Sequence, residues 1–98
     1  MQNNNSDCKA KNKVLVVEDN FIAQTVAKTL LSRMNCHVDV ASSGVDALAL
    51  YDQIDYDLIF MDIGLGEGMN GYEVTHHIRS KTNPIKHIPI IALTALFM

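Results

Sequence analysis

The sequence predicts a doubly wound α/β domain, a parallel β-sheet with helices packed on both faces. Four predicted strands, three of them short runs made only of apolar residues and one weaker, alternate with longer segments in which apolar residues recur at helical spacing. Strands that are buried on both faces of a parallel sheet consist of continuous apolar residues rather than alternating ones. The repeated strand–helix order therefore favours right-handed crossovers and a three-layer domain.

Composition agrees with one folded domain and excludes several partner classes. The 98 residues are 48% hydrophobic and 19% charged, with a net charge of −3 and no basic patch, which argues against nucleic acid as a partner. No apolar run approaches membrane-spanning length, and Cys8 and Cys36 have neither metal-site spacing nor a disulfide framework. We expect a cytoplasmic protein with a disordered polar tail over residues 1–12 and a domain over residues 13–98.

The first strand is predicted at Val14–Val17, an apolar run that ends abruptly at Glu18 and Asp19. Asn20 is a residue type that caps helices well. The apolar residues that follow at roughly helical spacing are Phe21, Ile22, Val26, Leu30, Leu31 and Met34. A helix is therefore expected directly after the acidic pair.

The second and third units repeat this order. A weaker strand is predicted at His37–Val40, and Ser43 followed by Asp46 three residues later is typical of a helix start. The third strand, Leu58–Met61, is apolar throughout and again ends in an acid, Asp62. Both strands are predicted to lie in the same parallel sheet.

A glycine-rich loop over Gly64–Gly71 follows the third strand. Asn70 and Glu73 have the spacing of a capping box, which predicts the start of a third helix. The fourth strand is predicted at Ile90–Leu93, with Thr94 at its end.

The polar residues at the strand ends are the candidate functional residues. In an open parallel sheet, ligands bind outside the carboxyl ends of the strands, which are the positions of Glu18, Asp19, Asp62 and Thr94. Three clustered carboxylates repel one another, and Mg²⁺ with its preference for oxygen ligands relieves that repulsion. A carboxylate beside such an ion could accept a phosphoryl group as an acyl phosphate. One acid after one strand is usually a cap or a solvated residue, but acids at two strand ends together favour function.

The motifs VLVVEDN, DLIFMD and IPIIALTA resemble the first, third and fourth strands of the bacterial-type response-regulator receiver family. The segment Asn70-Gly71-Tyr72-Glu73 is similar to the helix start after that family's phosphorylation loop, and the likeness covers residues 13–95. The VEDN and MDI motifs look more like receivers attached to hybrid sensor histidine kinases. The resemblance implies a flavodoxin-like sheet with strand order 2-1-3-4.

The resemblance also implies a role for each candidate residue. Asp62 would be the phosphoacceptor, Asp19 a direct Mg²⁺ ligand, and Glu18 a ligand through water. Gly64 would offer its backbone carbonyl to the metal, and Thr94 would contact the phosphoryl group and switch on its arrival. The implied donor is a histidine kinase or a histidine phosphotransfer protein, and the domain would be an acceptor rather than an enzyme.

The sequence departs from the family pattern in two ways. The loop after Asp62 lacks the usual proline and is one residue longer, so greater flexibility is expected. The family's phosphate-binding lysine, fifth strand and last helices have no counterpart among these residues, which predicts slow phosphorylation. The lack of a fifth strand among these residues also predicts an exposed edge on the fourth strand. Association of two or more copies through that edge is expected.

Two other functions remain open on the sequence alone. The chain could be an interaction or decoy fragment that binds a kinase without taking phosphate. It could also be an aspartate-based phosphohydrolase, although such enzymes need a second acid two residues after the nucleophile, where this chain has Gly64.

Overall fold

The computed structural model describes residues 11–66, 68–81 and 87–93. The strands are β1 (Asn12–Val17), β2 (Cys36–Ala41), β3 (Leu58–Asp62) and β4 (Ile90–Leu93). The helices are α1 (Phe21–Arg33), α2 (Gly44–Gln53) and α3 (Gly71–Lys81). All strand pairs are parallel and the strand order is β2-β1-β3-β4, which confirms the predicted fold and order. Within the described ranges, no helix has both the length and the apolar character needed to cross a membrane.

The predicted helix starts are present with the expected contacts. Asn20 Oδ1 and Ser43 Oγ each accept a hydrogen bond from the backbone N–H three residues on, at 3.0 and 3.2 Å. Asn70 and Glu73 form a reciprocal capping box, with each side chain accepting from the other's backbone N–H at 2.9 and 3.0 Å. The chain leaves α1 through Asn35, whose φ of 64° is one that asparagine tolerates better than most residues.

The main core lies between the sheet and the α2–α3 layer. Its buried members are Leu15, Val17, Ala41, Ala47, Tyr56, Ile59, Met61, Leu65, Val74, Ile78 and Ile88. Strand β1 is buried on both faces, since Val14 and Val16, which alternate with Leu15 and Val17, are also inaccessible to solvent. The apolar run in the sequence thus forms a central strand, and a central strand can deliver the residues after it into the middle of the sheet edge.

Strand β1 begins at Asn12, inside the stretch expected to be a polar tail. Asn12 pairs with Cys36, so the β1–β2 ladder starts before the apolar run of β1. The backbone groups of polar residues gain the same ladder hydrogen bonds as those of apolar ones, and apolar periodicity does not register them. Residues 1–10 of the predicted tail lie outside the described residues.

One face of the β3–β4 half of the sheet is left open by the helices of the described residues. An apolar groove lies between α1 and the β3–β4 half of the sheet, on the face opposite the main core. Its lining residues are Ala23, Val26, Ala27, Leu30, Leu31, Met34, Phe60 and Leu93. Strand β4 is last in the sheet order, and Ile91 on it is 46% exposed. The sheet therefore presents an open apolar edge in the described part of the chain, as the sequence predicted.

Candidate metal centre

Three of the predicted site residues meet at the carboxyl end of the sheet. Val17 pairs with Met61 in the β1–β3 register, so Glu18 and Asp62 emerge side by side from adjacent strands. Asp19 follows directly after Glu18. Each of the three carboxylates offers one oxygen atom, and these three atoms all lie within 4.8 Å of one another.

Glu18 is the buried member of the cluster, with 6% of its surface exposed. Its backbone N–H donates to the carbonyl of Ala41 at 3.0 Å, which extends the sheet pairing one residue past β1. The amide of Gln24 on α1 donates to the Glu18 carbonyl and, at 3.0 Å, to the hydroxyl of Ser42. The backbone of Glu18 is therefore held from both sides, and its carboxylate points into the cluster from a fixed position.

Burial raises the pKa of Glu18 from 4.5 to about 7. The hydrogen bond that the Asn20 N–H donates to Oε2, at 3.0 Å, opposes this rise in pKa, whereas the neighbouring carboxyls of Asp62 and Asp19 reinforce it. Desolvation and like charge both disfavour the ionised form. Without a cation, burial and the neighbouring carboxyls therefore favour the protonated form of Glu18.

Each carboxylate of the cluster accepts one backbone N–H. The Asn20 N–H donates to Glu18 Oε2, the Gly64 N–H donates to Asp62 Oδ1 at 3.0 Å, and the Gly66 N–H donates to Asp19 Oδ2 at 2.8 Å. These contacts orient the carboxylates and leave lone pairs for a ligand. A group of hard oxygen donors with mutual repulsion fits Mg²⁺, which binds through one or two carboxylates and keeps several waters.

The loop after Asp62 is anchored more firmly than its glycine content indicates. Leu65 is only 6% exposed and belongs to the main core. Gly71 donates its N–H to the Ile63 carbonyl at 3.2 Å, and a Cβ on Gly71 would collide with the Asp62 carbonyl oxygen. Leu65 is the one large aliphatic residue within the Gly64–Gly71 segment, and the greater flexibility expected of this loop stays a prediction.

Two predicted residues are not placed as ligands by the described contacts. Gly64 lies beside the cluster, where its N–H serves Asp62, and the metal contact expected of its carbonyl stays a prediction. Thr94 lies outside the described residues. It follows Leu93, which pairs with Asp62 in the β3–β4 register, and its role also stays a prediction.

The sequence matches the family model described as the response regulator receiver domain over residues 14–97. Among curated relatives, hybrid signal transduction histidine kinase L of Dictyostelium discoideum is 39% identical over 92 residues, which are 89% of this chain and 5% of that protein. The chain thus spans only a small part of this relative.

Solved structures give the same result. The receiver domain of a sensor histidine kinase from Pseudomonas aeruginosa PAO1, with a magnesium ion coordinated in its active site cleft, matches with a TM-score of 0.80 and 37% identity, over 89% of this chain and 70% of that one. The receiver domain of the Saccharomyces cerevisiae response regulator Ssk1, crystallised with the phosphotransfer protein Ypd1, matches with a TM-score of 0.75 and 31% identity, over 91% and 67%. The relatives come from eukaryotes and bacteria, so the expectation of a bacterial-type protein gains no support.

Proposed function

We propose that this chain, which belongs to the response regulator receiver domain family, accepts a phosphoryl group on Asp62 with Mg²⁺ bound beside it. One observation carries the proposal: oxygen atoms of Glu18, Asp19 and Asp62 lie within 4.8 Å of one another at the carboxyl edge of a parallel sheet. Such a cluster can bind a divalent cation and present a carboxylate nucleophile in the same place.

In the proposed reaction, a carboxylate oxygen of Asp62 attacks the phosphorus of a phosphohistidine. The P–N bond breaks, its electron pair stays on the imidazole nitrogen, and an acyl phosphate forms on Asp62. The Gly64 N–H holds Oδ1 of Asp62 in place for this attack. Bound Mg²⁺ would neutralise the carboxylates and the phosphoryl oxygens, which is the main requirement of phosphoryl transfer.

Asp19 and Glu18 would hold the cation, Asp19 directly and Glu18 through water. Glu18 must lose its proton to do so at neutral pH, because burial has raised its pKa to about 7. The Gly64 carbonyl would complete the protein ligands, and Thr94 would contact the transferred phosphoryl group. These roles rest on the family resemblance together with the geometry of the cluster.

The proposed donor is a histidine kinase or a histidine phosphotransfer protein in the cytoplasm. Support comes from the kinase relative and from the receiver crystallised with a phosphotransfer protein. The chain accepts phosphate and does not turn over substrate, and no nucleic acid or membrane takes part directly. Whether the chain works alone or within a longer hybrid kinase, the acceptor step is the same.

Incubation with Mg²⁺ and acetyl phosphate, followed by intact mass measurement, tests the proposal. We expect slow addition of one phosphoryl group, since no lysine among the described residues lies at the cluster, and one well-placed charge-stabilising group is commonly worth about 3–4 kcal/mol. Tight binding to a phosphotransfer protein without any modification would support the decoy function instead. Steady hydrolysis of a general phosphoester would support the phosphohydrolase.

We also propose that two copies associate through the open side of the sheet. Most of the large apolar side chains that are exposed in the described residues belong to α1 with its C-terminal cap or to β4. They are Phe21, Ile22, Val26, Leu30, Met34 and Ile91. Because the β4 edge and the groove are continuous, one second copy related by a twofold axis would cover both.

A further inference from the structure

The hydrogen bond between Gly66 and Asp19 differs from the other two backbone contacts of the cluster. Asn20 and Gly64 each lie two residues after the carboxylate they serve, so a local turn produces those contacts. Gly66 is 47 residues from Asp19 in sequence and donates to it at 2.8 Å. The residue after β1 is thus tied directly to the loop after β3.

The position of Gly66 is set independently of Asp19. The residue before it, Leu65, is buried in the main core, and the end of the loop is closed by the hydrogen bond from Gly71 to Ile63. With the loop anchored on both sides of Gly66, its N–H is presented to Asp19 at low entropic cost. The hydrogen bond between Gly66 and Asp19 therefore follows from how the loop is packed.

Space rather than backbone conformation favours glycine at position 66, because a larger residue would make the Asp19 carboxylate move. A Cβ on Gly66 would lie 2.9 Å from Asp19 Oδ2, closer than carbon and oxygen normally approach, while the φ angle is outside the left-handed range. Gly68 shows the opposite combination, with a φ of +86° and no atom within 4 Å of an added Cβ. Substitutions at Gly66 and Gly68 can therefore distinguish the effect of crowding Asp19 from the effect of straining the loop.

We propose that Gly66 is a positioning residue for the metal site. Its N–H holds Oδ2 of the Asp19 carboxylate and so fixes the orientation of that carboxylate beside Glu18 and Asp62. The inference rests on the proposed Mg²⁺ site. Because thermodynamic coupling is reciprocal, a cation that selects this orientation of Asp19 also stabilises the loop after Asp62.

Titration with Mg²⁺ alone, followed by amide NMR, tests the role of Gly66. Gly66→Pro removes the N–H, and Gly66→Ala keeps it but crowds Asp19. Outer contacts of metal ligands typically change affinity 10–100-fold, and we expect a loss of about tenfold in both variants. Gly68→Ala is the matched control, since it strains the same loop without touching Asp19, and should bind Mg²⁺ like the wild type. In the wild type, the Gly66 amide resonance should shift on Mg²⁺ addition.

Unchanged Mg²⁺ affinity in folded Gly66 variants would overturn the positioning role, and so would an equal loss in Gly68→Ala. A wild-type chain that binds no Mg²⁺ would refute the metal site itself, and this inference with it. A second measurement needs no metal and distinguishes a specific contact from general misfolding. It is a double-mutant cycle in unfolding stability between Gly66→Ala and Asp19→Ala. We expect the crowding cost of alanine at position 66 to disappear when the Asp19 carboxylate is absent. Additive effects would contradict the proposed contact.

Discussion

Glu18 combines a buried position with an ionisable group, and this makes the metal-free site a source of instability. Its folded pKa of about 7 exceeds the ordinary value of 4.5, so the folded state binds the proton more tightly than the unfolded state. The stability that this group contributes is complete below pH 4.5 and is lost as pH rises through about 7. A cation that binds the ionised form reverses that loss.

The first prediction compares the wild type with Glu18→Gln, which cannot ionise. Without Mg²⁺, the unfolding free energy of the wild type should fall relative to that of Glu18→Gln as pH rises from 4.5 to about 7. Above this window, the variant should be the more stable protein. A pKa unit corresponds to about 1.4 kcal/mol, so we expect a change of roughly 2–3 kcal/mol. Urea unfolding at a series of pH values measures it.

Mg²⁺ affinity of the wild type should rise over the same pH window, because Glu18 must lose its proton before it can hold the cation. Parallel stability profiles for the wild type and Glu18→Gln would show that Glu18 has the same pKa in the folded and unfolded states, so that burial does not raise it.

The contacts around the cluster also mark where prediction from sequence stops. The candidate residues Glu18, Asp19 and Asp62 could be predicted because strand ends of a parallel sheet share one edge. The Gly66–Asp19 hydrogen bond could not, since a backbone donor leaves no side-chain signature and here acts across 47 residues of sequence. Leu65 offered a weaker signal, as an isolated large aliphatic residue in a glycine-rich loop.

Among the secondary structure elements, α3 depends most on a glycine. Gly71 is the first residue of α3, and a Cβ there would collide with the backbone of Asp62 and Ile63. Because backbone atoms cannot move aside as side chains do, the start of α3 and the end of β3 must separate if position 71 carries a side chain. The helix start and Asp62, the proposed phosphoacceptor, are therefore linked.

Gly71→Ala should therefore destabilise the fold by about 1–3 kcal/mol, the usual cost of overpacking. It should also displace Asp62 and slow its modification by acetyl phosphate. Ser80→Ala is the control, an alanine substitution at an exposed position of the same helix. Thermal unfolding and intact mass measure the two effects. Wild-type stability of Gly71→Ala would mean that α3 packs less closely on β3 than the structure indicates.

The helix starts, the order of the strands and the bounds of β4 were predictable, whereas the lengths of β1 and β2 were not. Capping residues such as Asn20, Ser43 and Asn70 carry their own hydrogen-bonding groups and signal a helix start locally. Strand β1 extends to Asn12 because a partner strand is available there, which is a tertiary effect that local pattern does not contain. A continuous apolar run identifies the buried part of a strand only.

At the scale of the whole molecule, the two faces of the sheet are unevenly covered by the residues that the structure describes. Two helices, α2 and α3, enclose the main core, while on the opposite face α1 leaves the groove above β3 and β4 open. Monomeric proteins rarely expose large contiguous apolar patches. This asymmetry is the physical basis for the proposed association of two copies.

Leu30→Glu should disrupt this association, because it places a charge on an apolar groove residue that is 55% exposed. Val45→Glu is the matched control, since Val45 is 66% exposed but lies on α2 on the other side of the sheet. Light scattering over a concentration series should show dimers for the wild type and the control, and monomers for Leu30→Glu. A wild-type chain that stays monomeric at all concentrations would contradict the proposed interface.

The central claim is that Asp62 itself receives the phosphoryl group, and its location on the chain is the most direct test. After incubation with Mg²⁺ and acetyl phosphate, borohydride reduction converts an aspartyl phosphate to homoserine, which peptide mass mapping locates. We expect a single homoserine at position 62, absent when Mg²⁺ is omitted and absent in Asp62→Asn. Modification at another residue, such as the exposed His76 or His77, or none at Asp62 in a chain that binds Mg²⁺, would contradict the claim.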